Sequence, residues 1–249
     1  MKKAVTSAFL IMLLASSANA ALVGRLEENG VFKAYYDTVL NITWLADANY
    51  AKTSGYDADG LMTWSVAQGW IGTLNTANYL GVNGWRLPTV KPVNGSSFNY
   101  SYSAIGSTDY GYNVSEQGTA YAGSTQSEMA HLFYNTLGNK SYCDPAQSTV
   151  SSCSGPQAGW DLTNTGPFSN LQSANYWSGT EYAPATGLAW FFGFNYGLQH
   201  YNIKGNGFYA WAVRPGDIAP VPLPAAAWLF GGALTLLGAL RRRAMTALG

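Results

Sequence analysis

Charged side chains are scarce in this chain, at 10% of 249 residues, and histidine and cysteine occur only twice each. Lys2, Lys3 and the arginines at 241–243 account for five of the 13 basic residues, so the remaining chain has a net charge of 8 − 13 = −5. Nucleic-acid binding requires a basic face for phosphates, so we expect no nucleic-acid partner.

The two cysteines, Cys143 and Cys153, lie in the polar stretch "SYCDPAQSTVSSCSG". In an exported chain this spacing predicts one local disulfide that closes a small loop. The alternative is a pair of metal ligands, but no neighbouring Cys or His completes a zinc set.

The N-terminus has the pattern of a secretory signal peptide over residues 1–20. Lys2 and Lys3 precede an apolar run, and the small residues Ala18 and Ala20 predict cleavage between Ala20 and Ala21. The alternative is an N-terminal membrane anchor, for which the apolar run is short.

Residues 218–249 have the pattern of a second targeting signal, at the C-terminal side of the domain. Residues 225–240 are uncharged and would measure about 24 Å as a helix, against about 30 Å for a bilayer core. We predict a transmembrane helix over about 224–240. The arginines that follow it would stay in the cytoplasm, and the domain that precedes it would lie outside the membrane.

This tail combines a proline motif with a final arginine cluster: Val221, Pro222, Leu223, Pro224, Ala225, Arg241, Arg242 and Arg243. With the apolar run between them, these residues resemble the VPLPA variant of the PEP-CTERM sorting signal. The resemblance implies recognition by an exosortase in the inner membrane, cleavage near the prolines, and transfer to the cell surface or extracellular matrix. A plain tail anchor is the alternative.

The chain between these two terminal signals predicts an α+β domain with two helices and, after them, an antiparallel sheet. In "VLNITWLAD", Leu40, Ile42 and Trp44 alternate onto one face of a strand. Helices are predicted over 61–75 and 125–138, the second with a Thr125–Glu128 capping box and a final Gly138. Residues 188–215 predict a three-stranded meander with turns at 195–197 and 204–207.

Four motifs follow one another along the chain: "GWRLPT" (84–89), "NYWSGTEY" (175–182), "AWFFGFNYG" (189–197) and "YAWAVRPG" (209–216). Their order resembles that of the Lcl C-terminal-like domain family. The resemblance covers most of 35–216, implies a C-type-lectin-like fold, and places one domain at 21–217. Residues 91–123 have no counterpart, so we expect a surface insertion there.

No catalytic constellation is visible. Ser178 has no obvious base, and His131 and His200 are expected to be packed or at the surface. Sulfatase-modifying enzymes with a similar fold use catalytic cysteines, and no such motif is present here. A secreted hydrolase remains the alternative, with its acids drawn from Glu116, Glu128, Asp161 and Glu181.

Asp57 and Asp59 in "SGYDADG" resemble the start of a calcium loop, but Gln68 occupies the position of the closing Glu. The alternative is a turn in which Asp59 caps the first helix. No other cofactor is predicted.

Aromatic residues make up 14% of the chain. Trp85, Trp190 and Trp211 are expected in the core, whereas Tyr182, Tyr196 and Tyr201 are candidates for a ligand surface. The sequence thus favours an exported, non-enzymatic surface or matrix protein that binds a polysaccharide, a glycan or another matrix protein. A purely structural matrix component is a third hypothesis.

Overall fold

The computed structural model describes residues 22–218. The predicted signal cleavage site at Ala20 and Ala21, the motif at 221–225, the helix at about 224–240 and the arginines at 241–243 lie outside the described residues. Within residues 22–218, no helix is both long and apolar enough to span a bilayer.

Residues 22–218 are α+β, as predicted, with short helices and two sheets. The strands are β1 (Leu22–Glu28), β2 (Val31–Asp37), β3 (Ile42–Leu45), β4 (Tyr102–Ser103), β5 (Tyr110–Tyr112), β6 (Asn175–Glu181), β7 (Leu188–Gly193), β8 (Leu198–Ile203) and β9 (Val213–Pro215). The helices are α1 (Tyr50–Thr53), α2 (Trp64–Thr76) and α3 (Glu128–His131), with a 3₁₀ turn at Tyr79–Gly81 and a π-helix at Leu132–Thr136.

The first sheet is antiparallel, with the order β1-β2-β3-β9. The predicted strand around Trp44 is confirmed as β3, in which Ile42 and Trp44 are buried. Thr43 and Leu45 are buried as well, so β3 is covered on both faces. The alternation of apolar residues along this strand therefore does not indicate a face exposed to solvent. Leu40 precedes the strand and is half-buried.

The second sheet has the order β4-β5-β8-β7-β6, and only β4 and β5 pair in parallel. The predicted turn at 195–197 is confirmed between β7 and β8. The predicted third strand of the meander is wrong, because β5 occupies the position beside β8 and the chain after β8 crosses to the far edge of the sheet, where Tyr209 pairs with β6.

Residues 208–215, which we call the closing segment, run between the two sheets. Phe208 exchanges backbone hydrogen bonds with Met62, and Tyr209 pairs with the β6 backbone. Val213 exchanges hydrogen bonds with Arg86 and also joins β3 as part of β9. These eight residues therefore complete both sheets.

The segment 91–123 is only partly a surface loop, so the expectation of a surface insertion was incomplete. It supplies β4 and β5, and β5 pairs with β8. The carboxylate of Asp109, buried in this segment, accepts hydrogen bonds from the N–H groups of Val93 and Asn99, both at 2.7 Å. Its backbone carbonyl accepts another from buried Gln199.

The first predicted helix begins three residues late, at Trp64. Thr63 is its N-cap, with Oγ1 accepting from the Val66 N–H, whereas Asp59 accepts from the Leu61 N–H in the preceding turn. Met62 lies before the helix because its backbone pairs with Phe208. Val66, in the first turn of this helix, is 41% exposed and lies off its buried face.

The second predicted helix is confirmed in part: helical structure runs from Glu128 to Thr136, first as α3 and then as the π-helix that follows it. The Thr125–Glu128 capping box does not form: Ser127 occupies the N-cap position, and the Glu128 carboxylate binds Arg86. Gly138, with φ of +70°, follows the end of this helical segment as predicted.

Candidate functional site

A continuous run of mostly half-buried aromatic rings crosses the second sheet and the loops beside it. We call it the aromatic strip. Neighbouring ring centroids along it are 3.8 to 6.4 Å apart. In order of contact its members are Tyr182, Tyr201, Tyr110, Tyr102, Tyr112, Tyr142, Tyr196 and Trp160.

Strand geometry positions the middle of the strip. Tyr110 and Tyr112 are two residues apart on β5 and so project from the same face. Parallel pairing of β4 sets Tyr102 beside Tyr110. The Tyr110 hydroxyl is 3.0 Å from Nε2 of His200 on β8.

The three predicted ligand tyrosines all belong to the strip but differ in exposure. Tyr182 and Tyr201 stack with centroids 3.8 Å apart, and Tyr182 is buried while Tyr201 is half-buried. Tyr196 lies at the opposite end, stacked 5.5 Å from Trp160, and is 41% exposed. As predicted, Trp85, Trp190 and Trp211 are in the core, at 3%, 0% and 0% exposure.

Three hydroxyl groups in the middle of the strip, those of Tyr102, Tyr110 and Tyr112, stay protonated at neutral pH. Burial raises the pKa of Tyr102 and Tyr110, and it raises the pKa of Tyr112 to about 12. Each neutral hydroxyl can both donate and accept a hydrogen bond. The strip thus offers apolar ring faces rimmed by uncharged polar groups.

The Tyr196 end of the strip is fixed by buried hydrogen bonds. The buried Tyr134 hydroxyl donates to the Gly197 carbonyl at 2.5 Å and accepts from the Asn113 N–H at 3.0 Å. Gly197 has φ of +63°, and a Cβ there would lie 2.6 Å from the Tyr134 hydroxyl, so only glycine fits this turn.

The predicted disulfide between Cys143 and Cys153 is confirmed. The Asn113 side chain donates to the carbonyls of Ala104 and Cys143, at 2.7 and 2.9 Å, and thereby ties the start of this loop to the sheet. Beside the loop lies a surface pocket of about 360 Å³, whose polar lining includes Lys140, Asp144, Gln147, Ser154 and Gln157.

The model of the Lcl C-terminal domain family matches residues 33–214. The chain belongs to the Lcl C-terminal domain family. No curated protein and no solved structure matches it. The family match takes in every ring of the aromatic strip and the whole disulfide loop.

The "GWRLPT" motif has a structural role in this Lcl C-terminal domain. Arg86 donates to both oxygens of Glu128, at 2.6 and 2.7 Å, while its backbone pairs with Val213. Glu128 also accepts from the Thr89 N–H at 2.7 Å. Arg214 donates to the backbone carbonyls of Asn83 and Asp217. Both arginines therefore hold backbone and acid groups in place.

The four candidate acids of the hydrolase hypothesis do not share partners within residues 22–218. Glu128 pairs with Arg86, Glu181 pairs with Lys204 at 2.5 Å, and Asp161 accepts from Ser173 and from the Leu162 N–H. Glu116 differs from them: burial raises its pKa to about 7, and Oε2 has no hydrogen-bond partner.

The histidines and Ser178 occupy separate packed environments. Burial lowers the pKa of both His131 and His200, and their Nδ1 atoms lie near backbone carbonyls. Ser178 is buried, and its Oγ accepts from the Thr180 N–H at 2.9 Å. No hydrogen bond joins Ser178 to either histidine within the described chain.

Asp57 and Asp59 form consecutive turns. Asp57 Oδ1 accepts from the N–H groups of Asp59 and Gly60, and these bonds lower its pKa against the opposing effect of desolvation. Asp59 Oδ1 accepts from the Leu61 N–H. Across residues 22–218, no three His, Cys, Asp or Glu side chains cluster as metal ligands would.

Sequence reasoning missed five members of the strip: Tyr102, Tyr110, Tyr112, Tyr142 and Trp160. Four of them lie in segments interpreted as polar loops. The available signal was the two-residue spacing in "YSYSAIGSTDYGY", where Tyr100 and Tyr102, then Tyr110 and Tyr112, alternate with small residues. That spacing is typical of strands.

Proposed function

We propose that this Lcl C-terminal domain is a non-catalytic binding module whose aromatic strip holds an extracellular polysaccharide. The observation that carries the proposal is the unbroken contact of eight rings that are mostly half-buried. Tyrosine and tryptophan present an apolar ring together with a polar group, a combination suited to the apolar faces and hydroxyls of sugars. Neither a cofactor nor a catalytic group is needed.

The proposal includes a C-type-lectin-like fold and a route out of the cell. The fold is supported by the order of the four motifs and by the α+β architecture. Export is supported by the signal-peptide pattern at 1–20, and surface or matrix display by the VPLPA-type tail with its arginines. The partners would be an exosortase, the inner membrane before processing, and a polysaccharide or matrix protein afterwards.

Binding is tested by affinity electrophoresis of the full chain in gels that contain one neutral or one acidic polysaccharide at a time. We expect retardation by at least one polysaccharide, and we expect Tyr196→Ala and Tyr201→Ala to reduce it. Tyr56→Ala is the matched control, because Tyr56 is 42% exposed and lies outside the strip. Equal retardation of all four proteins would overturn the role of the strip.

The hydrolase hypothesis retains one supporting observation, which is the raised pKa of Glu116. Burial is the larger cause of this rise, and the negative charge of Asp144 is the smaller one. A general acid requires a pKa near the working pH. If this alternative holds, the full chain releases new reducing ends from a polysaccharide and Glu116→Gln abolishes the release. Binding with no release by either protein supports the non-catalytic module.

Sorting is tested by intact mass and cell fractionation in a host with the matching exosortase and in a host without it. Loss of the mass beyond 221–225, with the protein outside the cell, is expected only in the first host. A full-length chain in the inner membrane of both hosts would instead indicate a plain anchor.

A further inference from the structure

The pocket beside the disulfide loop adjoins the Trp160 end of the aromatic strip. Lys140, which lines the pocket, forms a backbone bridge with Trp160. Gln157, another lining residue, accepts from the Trp160 N–H through its carbonyl and donates its N–H to the Tyr142 carbonyl at 3.1 Å. The polar pocket therefore lies directly beside the Trp160 end of the strip.

The lining side chains can both donate and accept hydrogen bonds. Asp144 already accepts from the Ala146 N–H and from Gln147 Nε2, while Gln157 Nε2 donates to the carbonyls of Ser141 and Cys143. These bonds fix Asp144 and Gln157 in place. Within the described chain Lys140 makes no ion pair, so its ammonium group is available to a ligand.

The charge around the pocket favours a neutral ligand. Lys140 and Asp144 balance each other at the lining, and Glu116 is close enough for both to affect its pKa. The domain as a whole carries a net charge of −5, which disfavours a polyanion. At about 360 Å³, the pocket falls within the range of roughly 300–1,000 Å³ that is typical of small-molecule sites.

We propose that this pocket is a subsite for one neutral sugar residue, whose hydroxyls bind Lys140, Gln147 and Gln157 while the next sugar stacks on the Trp160–Tyr196 pair. The inference rests on the proposed polysaccharide function and adds to it a ligand class and an end point for the strip. Pairs of polar groups beside an aromatic face discriminate between sugars by hydroxyl orientation, which the strip alone cannot do.

The disulfide is a structural part of this subsite. Asp144 follows Cys143 and Ser154 follows Cys153, so the covalent bond joins the starting points of two pocket walls. Breaking it would free the walls, while the strands that carry Tyr110 and Tyr201 would keep their backbone pairing. Binding of short ligands at the subsite should therefore depend on the disulfide more than binding of long chains does.

The test is isothermal titration of the full chain with short neutral gluco-, manno- and galacto-oligosaccharides, and with an oligogalacturonate as the charged counterpart. Lys140→Ala and Gln147→Ala each remove one hydrogen-bonding group from an exposed side chain. We expect each to weaken binding of the preferred neutral oligosaccharide about three- to tenfold. Lys91→Ala, an exposed lysine outside the pocket, is the matched control and should bind as the unmodified chain does.

A second arm compares the oxidised chain with the Cys143→Ser/Cys153→Ser double variant. We expect the double variant to lose the short oligosaccharide while long polysaccharide still retards it in affinity electrophoresis. Near-ultraviolet circular dichroism checks that the aromatic core stays packed. If it stays packed and the short ligand binds as before, the role of the disulfide is overturned.

The remaining outcomes separate the subsite from the proposed function. Strip-dependent polysaccharide binding that is unaffected by Lys140→Ala and Gln147→Ala would overturn the subsite alone. Preference for the oligogalacturonate, lost in Lys140→Ala, would overturn the neutral ligand class. No binding to any oligosaccharide or polysaccharide would overturn both proposals.

Discussion

The aromatic core and the aromatic strip use the same class of side chain in opposite ways. The largest fully buried side chains are mostly tryptophan and phenylalanine, among them Trp44, Trp177 and Trp211. The strip is seven tyrosines and one tryptophan, and only Tyr182 is buried. Rings without a hydroxyl fill most of the interior, with Tyr134 and Tyr176 as exceptions, whereas the rings of the strip form a surface where water or a ligand can meet the polar edge.

The largest effect on stability is expected from the loss of a ring in the core. Trp211 is fully buried, with ring centroids 4.7 Å from Trp44 and 4.8 Å from Phe168, and its Nε1 donates to the Leu45 carbonyl at 2.8 Å. We expect Trp211→Ala to lower the free energy of unfolding by about 3–5 kcal/mol, because it leaves a cavity and an unpaired carbonyl. Urea unfolding followed by circular dichroism measures the loss. A loss below about 1 kcal/mol would contradict the assignment of Trp211 to the core.

The disulfide is the next largest expected contribution and belongs to the strip side of the molecule. Cys143→Ser/Cys153→Ser should lower the free energy of unfolding by about 2–3 kcal/mol, since a short loop loses its covalent closure. The same urea titration, with and without reductant, measures it. Reductant should have no effect on the double variant. A reductant effect of equal size there would show that the loss does not come from this bond.

The pH dependence of stability should report on one carboxyl group, that of Glu116. Burial, with a smaller contribution from Asp144, raises the pKa of Glu116 from 4.5 to about 7. The folded state therefore keeps this proton to a higher pH than the unfolded state. Its stabilising contribution is complete below pH 4.5 and is lost as the pH rises toward 7.

The measurement is the free energy of unfolding of the unmodified chain and of Glu116→Gln between pH 4 and 8. We expect the difference between the two to shift against the unmodified chain as the pH rises. Burial lowers the pKa of His131 and His200, whose contributions run in the opposite direction. Because both histidines are present in both proteins, they cancel in the difference. A difference independent of pH would contradict the raised pKa.

The smallest effect on stability is expected at the exposed end of the strip. Tyr196 is 41% exposed, so Tyr196→Ala should cost less than about 1 kcal/mol while it weakens polysaccharide binding. Together with Trp211→Ala, this variant tests whether stability and binding reside in different rings. A loss as large as that of Trp211→Ala would place Tyr196 in the core and end the distinction.

The sequence predicted those features that depend on local pattern. Ile42 and Trp44 alternate, Gly197 ends a strand-to-strand turn, and Cys143 and Cys153 are close along the chain; each was placed correctly for that reason. The errors came from distant partners. Glu128 has the spacing of a capping residue, but Arg86, 42 residues away in sequence, binds its carboxylate instead.

The same limit explains what was missed at the candidate site. Tyr142 and Trp160 meet Tyr196 because backbone hydrogen bonds join three distant segments: the Tyr142 N–H donates to the Tyr196 carbonyl, and the Gln157 N–H donates to the Tyr142 carbonyl. The composition around them is that of a polar loop, and local spacing contains no trace of those contacts. Tyr110 and Tyr112 were more accessible to prediction, since their two-residue spacing is the local signature of a strand.

The position of the closing segment near the end of the domain has a consequence for folding during synthesis. Phe208, Tyr209 and Val213 make the backbone bonds that join the two sheets, and they are among the last residues of the domain to be synthesised. A chain that appears N-terminus first has both sheets incomplete until almost its whole length is available. Contacts this far apart along the chain make folding slow. We therefore expect nascent chains that stop before residue 208 to be open and readily digested by protease, with resistance appearing abruptly once the segment is present.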